Sequence, residues 1–262
     1  MISALLRSLL IAAIALLAVG CATTGGMSGD DDTGDLGEVQ EKRPGDIYAQ
    51  LGQQYMTDGQ PAVALRKLKR GLTLDPDNPQ IHAVMGLLYQ RLGETGPARS
   101  HFSEAISLEP RNPYYRNLWG SFLCQQRDFA EADEQFRLAL KNPLYNKPWS
   151  ANTNAGLCAY QSGDVEKAET YLRQALSINP AIPQALLKMS RINFDRGDFV
   201  GAKRYLERYR SLVPHNAETL LLGLRIEHQM GSRDGMERYL AVLRHRFPDA
   251  PETRLAEQLS RQ

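Results

Sequence analysis

The chain has 262 residues, with 31 Lys and Arg against 30 Asp and Glu and a formal net charge of +1. So even a balance provides no bulk attraction to nucleic acid, and no partner rich in phosphate is implied. Three cysteines and five histidines leave little material for a disulfide framework or a metal-binding cluster.

The first element is a run from Leu9 to Val19 in which every residue is apolar, preceded by the single charge of Arg7. Its length suits an export signal and is too short to cross a bilayer comfortably. The run leads into Ala18-Val19-Gly20-Cys21, which resembles a bacterial lipobox, with Ala18 where Leu is more usual. The resemblance implies that residues 1–20 are removed and that Cys21 receives a diacylglycerol and an amino-terminal acyl chain, a palmitate-type anchor holding the protein firmly on a membrane. An ordinary cleaved signal would instead leave a reactive thiol exposed in an oxidising space. Ala22 follows in place of the Asp that marks inner-membrane retention, so the resemblance points to the outer membrane and a domain facing the periplasm. Removal of Arg7 with the signal leaves 30 basic and 30 acidic residues.

Residues 21–44 are rich in Gly and Asp and almost free of large apolar side chains, the composition of a disordered tether. A coil of that length reaches roughly 25 Å. Asp30, Asp31 and Asp32 read as a solvated charge cluster, and no metal is assigned to them.

From residue 45 the chain repeats itself. Pro76, Pro110, Pro180, Pro214 and Pro248 are spaced by multiples of 34, apart from two extra residues near Leu144 to Lys147. Small residues recur at the eighth position (Gly52, Gly86, Gly120, Gly156, Ser190) and at the twentieth (Ala64, Ala98, Ala132, Ala168, Ala202), where two helices of a hairpin must approach closely. Gly59, Gly93, Gly163, Gly197 and Gly231 mark the fifteenth position, where a left-handed residue ends the first helix. Prolines at the thirty-second position stop the second helix. This pattern resembles the tetratricopeptide repeat. It implies an all-α, right-handed α-solenoid of six hairpins (45–78, 79–112, 113–148, 149–182, 183–216, 217–250), each burying its remaining apolar face on the next. The sixth copy is looser, with Leu224 and Met236 at the two small positions. Residues 251–262, with Leu255 and Leu259 on one face, read as a capping helix.

The remaining cysteines, Cys124 and Cys158, fall on neighbouring first helices. In an exported protein they suit a disulfide, and two small side chains buried in the seam are the other reading. No His-Glu-x-x-His, Cys-x-x-Cys, Walker loop or nucleophile elbow occurs, and the five histidines read as scattered over different repeats. We therefore expect a binding scaffold with no cofactor and no enzymatic chemistry.

The scaffold's partner should lie along the concave face of the first helices. Positions 2, 5, 9 and 12 share that face, and they supply Gln53, Met56, Leu87, Gln90, Asn117, Ser121, Leu157, Tyr160, Arg191, Phe194 and Arg225. Such a mixed surface suits an extended or helical peptide, although any single position is equally a solvated helix residue. Nearness to the tether leads us to expect the amino-terminal repeats to matter most.

The segments Gly120–Cys124 (GSFLC), Asn142–Cys158 (NPLYNKPWSANTNAGLC) and Leu220–Arg225 (LLLGLR) go beyond the generic repeat. With the lipobox and six repeats, the chain is similar to the pilotin lipoproteins of type IV pilus biogenesis. The resemblance implies binding to secretin subunits, their delivery to the outer membrane and their assembly into the ring through which a pilus passes. The alternative is a repeat lipoprotein serving outer-membrane β-barrel assembly or peptidoglycan enzymes.

Overall fold

The computed structural model describes residues 43–261; residues 1–42, including the lipobox at Cys21 and the tether, lie outside the described residues. Among the described residues the regular structure is all helical. Thirteen helices run in chain order as α1 (Pro44–Thr57), α2 (Pro61–Leu74), α3 (Pro79–Arg91), α4 (Thr95–Leu108), α5 (Pro113–Gln125), α6 (Phe129–Leu140), α7 (Pro148–Ser162), α8 (Val165–Ile178), α9 (Pro183–Asp195), α10 (Phe199–Arg210), α11 (Ala217–Gln229), α12 (Arg233–Arg246) and α13 (Pro251–Leu259).

The local chemistry explains each start and stop. Every first helix except α11 begins on a proline, whose fixed φ suits the first turn and whose missing N–H costs nothing there. In front of Pro79 the Asn78 side chain accepts from the Ile81 N–H at 2.9 Å, and Asn112 caps α5 in the same way through Tyr114. α11 lacks the proline and uses a capping box between Asn216 and Thr219. The turn inside each hairpin passes through one left-handed residue. In five copies it is glycine, but in the third it is Arg127, at φ 67°, the one described non-glycine residue with positive φ.

Helices pair as α1/α2, α3/α4, α5/α6, α7/α8, α9/α10 and α11/α12, and successive first helices stack alongside one another from α1 through α9. The step from α9 to α11 is the loosest of the series. Within each hairpin the small position faces one large residue. At Gly86 a Cβ would sit 2.7 Å from the ring of Phe102, so only glycine admits that ring. Phe102 is 1% exposed, and burial of such a side chain contributes about 2–3 kcal/mol. In the fifth copy Ser190 replaces glycine, and its hydroxyl donates to the Ala202 carbonyl at 2.8 Å. In the sixth the close approach moves one residue earlier: Gly223 lies against the Tyr239 ring while Leu224 is fully buried in the last core cluster.

The two extra residues of the third copy fall in the turn before α7. Tyr145 is buried there, edge-on to Tyr114 with centroids 5.1 Å apart, while Leu144 stands 87% exposed. Cys124 of α5 and Cys158 of α7 are joined by a disulfide with Cα atoms 5.7 Å apart, tying the third hairpin to the fourth. α13 packs on α11 and α12, but through Thr253 and Ala256, both buried. Of the stripe named from sequence, Leu259 is half-buried against the last core cluster while Leu255 is 43% exposed, so only one of the two leucines helps to seat this helix.

Candidate functional site

The concave positions named from sequence separate into two groups. In the amino-terminal half they are largely consumed by the fold. Met56 is 7% exposed, part of the first core cluster, and its carbonyl accepts from the Arg91 guanidinium at 2.8 Å, because α3 closes over it. It is not a groove residue. Asn117 is also buried, receiving the Asn154 amide at 3.0 Å and reaching Ser150 at 3.4 Å across the α5/α7 seam. The Ser121 hydroxyl donates back to the Asn117 carbonyl, and Gln90 donates to Gln125 at 2.6 Å. Leu87 is half-buried between two core clusters, Leu157 is half-buried on α7, and Gln53 remains exposed. The expectation that the amino-terminal repeats dominate therefore loses its apolar anchor at Met56.

The carboxy-terminal half keeps an open surface. Where α9 and α11 diverge, a cavity of about 180 Å³ is lined by Tyr160, Arg191, Phe194, Glu218, Leu221 and Arg225. A second, of about 440 Å³, shares Phe194 and Arg225 and adds His228, Gln229, Leu255 and Leu259. Four of the sequence-assigned residues, Tyr160, Arg191, Phe194 and Arg225, thus line two adjoining cavities that share Phe194 and Arg225, together a trough from α7 to α13. The partial exposure of Leu255 has its reason here, since it forms part of this wall.

Polar groups in the trough are partly committed. Arg191 is ion-paired with Glu218, and the Lys188 ammonium sits 3.8 Å from the centroid of the Tyr160 ring. Burial, with Arg191 nearby, lowers the Lys188 pKa, and the aromatic face partly compensates the lost hydration. Phe194 packs edge-on to Phe199 at 5.6 Å, which fixes its ring. Arg225 is exposed and ion-paired with no described residue. A rigid aromatic floor with a free guanidinium at its rim suits apolar side chains of a peptide and a carbonyl or carboxylate beside them.

Glu218, Leu221 and His228 occupy positions 2, 5 and 12 of the sixth copy, so the repeat register contained the signal for them. Lys188 falls outside that register, and nothing in the repeat pattern points to Leu255 or Leu259. The histidines are also less dispersed than their spacing suggests. His82 and His101 belong to one hairpin, with Nδ1 atoms 3.1 Å apart and Tyr89 stacked on His101 at 5.5 Å. Burial and the neighbouring His82 depress His101 to about 4. Among the described residues, no group of three or more His, Cys, Asp or Glu is placed to hold a metal ion.

Stacked 34-residue helical hairpins with small residues at the two crossing positions define a tetratricopeptide-repeat protein. Family models described as "Tetratricopeptide repeat" match residues 79–112, 117–185 and 159–218. The crystal structure of PilW, described as a widely conserved type IV pilus biogenesis factor, is 30% identical. That match covers 82% of this chain and 99% of PilW at a TM-score of 0.76. The PilF structure from Pseudomonas aeruginosa is 26% identical, with 82% and 97% coverage and a TM-score of 0.76. The curated type IV pilus assembly protein PilF of that organism is 27% identical over 186 residues, 70% of this chain and 71% of the relative. The chain belongs to the PilW and PilF family of type IV pilus biogenesis factors.

Proposed function

We propose that the protein is a pilotin: an outer-membrane lipoprotein, anchored through Cys21 and facing the periplasm, that binds secretin subunits and promotes their localisation and multimerisation for type IV pilus biogenesis. The observation that carries this reading is the match to PilW, which runs over 99% of that factor's length. Its 30% identity over that length carries the likeness beyond the shared repeat fold. The trough lined by Tyr160, Phe194 and Arg225 supplies a binding surface, and the lipobox resemblance supplies the destination. The chemistry asked of the protein is recognition and delivery, with no covalent step and no cofactor.

Binding and delivery are separable experimentally. A Phe194→Glu, Arg225→Glu variant is expected to lose secretin in a pull-down while keeping its circular dichroism spectrum. Cys21→Ser is expected to retain secretin binding and leave the outer-membrane fraction. A deletion strain that assembles secretin multimers and surface pili at normal levels would overturn the pilotin assignment, and a Cys21→Ser protein that stays with the outer membrane would overturn the anchor.

A further inference from the structure

A cleft of about 450 Å³ lies between the second helices of the last two hairpins and shares no residue with the concave trough. Lys203, Glu207 and Arg210 come from one face of α10, and Arg238, Val242 and Arg246, spaced by four, come from one face of α12. Pro214, Leu220 and the Tyr239 ring complete apolar walls. Four cations therefore face two carboxylates. Lys203 is already committed to Glu227, at 2.8 Å. Arg210, Arg238 and Arg246 are exposed, and no carboxylate among the described residues lies within ion-pair distance of any of them.

The deep end of the cleft carries a second, independent observation. Glu227 is 2% exposed, and its Oε2 has no hydrogen-bond partner; His215 is 9% exposed, and its Nε2 has none either. Each such buried orphan has given up its hydration without a replacement, which a ligand could supply. The His215 Nδ1 is engaged with the Thr219 hydroxyl at 3.0 Å. That hydroxyl also lies 3.1 Å from the Asn216 carbonyl, and the free Nε2 is a donor or an acceptor according to the ring tautomer. Glu227 Oε2, half of an ion-paired carboxylate, is an acceptor in any case.

The cleft thus wants negative charge at its rim and hydrogen-bonding groups in its depth, an N–H donor for Glu227 Oε2 among them. A phosphate or phosphodiester group brings acceptors only and leaves Glu227 Oε2 orphaned. An acidic peptide brings carboxylates for the three arginines, and backbone N–H and C=O groups for the buried orphans. Its apolar side chains have Leu220, Val242 and Tyr239 to lie against.

We propose that this cleft is a second binding site, separate from the trough, which takes an acidic segment of a partner protein with apolar residues among its carboxylates. The site is assigned from its own charges and orphaned polar groups and does not depend on which protein occupies the trough.

Fluorescence anisotropy with the full chain and a labelled decapeptide of Glu, Leu and Gly tests the assignment, with a Lys, Leu and Gly peptide of equal length as control. The acidic peptide is expected to bind and the basic one not to. Arg238→Glu with Arg246→Glu should weaken binding about tenfold or more, as loss of paired rim charges does, and Arg238→Gln with Arg246→Gln should weaken it less. Loss of binding in a Phe194→Glu, Arg225→Glu variant would place the peptide in the trough and overturn the proposal. Failure of the acidic peptide to bind, or equal binding by the charge-reversed variant with an unaltered circular dichroism spectrum, overturns the proposal. So does displacement of the peptide by millimolar inorganic phosphate or by vesicles rich in phosphatidylglycerol, which would make the cleft a simple anion site.

Discussion

The disulfide between Cys124 and Cys158 offers the sharpest test of how the hairpins are held together. The bridge closes a loop with a sequence separation of 34. Constraining such a loop in the unfolded chain removes about 13 cal/mol/K, or about 4 kcal/mol at 25 °C, on the chain-entropy account. Both half-cystines are buried, and each is 7% exposed or less, so an oxidised protein presents no thiol at either site. In a solenoid, stability is a sum of hairpin and interface contributions. Reduction should therefore act on α5 to α7 first. Urea unfolding with and without dithiothreitol measures the total, and hydrogen exchange locates it. We expect the midpoint to fall on reduction, with amide protection lost in α5, α6 and α7 and retained in α1, α2 and α12. Cys124→Ala with Cys158→Ala should unfold near the reduced midpoint and ignore reductant. A wild-type midpoint unmoved by full reduction, or protection lost uniformly along the chain, would refute the reasoning.

Other outcomes follow from individual residues. Arg127 sits left-handed at φ 67°, which costs a non-glycine residue about 1–2 kcal/mol. Arg127→Gly gives back about 0.5–1 kcal/mol of that in unfolded-chain entropy, so it should raise the thermal midpoint by a few degrees, and a lowered midpoint would show the strain is compensated elsewhere. Gly86→Ala places a Cβ 2.7 Å from the Phe102 ring and should destabilise by about 1–2 kcal/mol; in a Phe102→Leu background the cost should shrink, which a double-mutant cycle reads directly. His101, held down at about 4 by burial and by His82, resists protonation in the folded state while the unfolded chain takes the proton near 6.5. Its contribution to stability is thus complete above 6.5 and is lost as pH falls from there towards 4. Solvent screening at this half-exposed site reduces the loss to about 1 kcal/mol, and denaturation of His101→Gln across that range should show a flatter profile.

The helical hairpins were legible in the sequence because each depends on contacts inside one 34-residue unit. Gly86 against Phe102, Ala98 in the same crossing, Asn78 before Pro79 and the left-handed Gly93 all act within a few turns of chain, so spacing alone locates them. Where a copy departs from the pattern, the departure is still local: Ser190 satisfies its hydroxyl within its own hairpin, and Gly223 takes over the approach that Leu224 cannot make. Helical register likewise placed Tyr160, Arg191, Phe194 and Arg225 on one face. It did not say which members of that face stay open, because this depends on how far apart successive first helices stand. Close stacking lets α3 cover Met56 and lets α7 absorb Asn117. The looser step between α9 and α11 leaves Phe194 and Arg225 uncovered. The placement of α13 on Thr253 and Ala256 turns Leu255 towards the trough, and the approach of α10 to α12 sets Arg210, Arg238 and Arg246 around Glu227. Those distances are properties of packing between repeats. No periodic pattern encodes them, since one sequence register is compatible with a closed seam and with an open groove, and only the summed fit of the intervening side chains selects between the two.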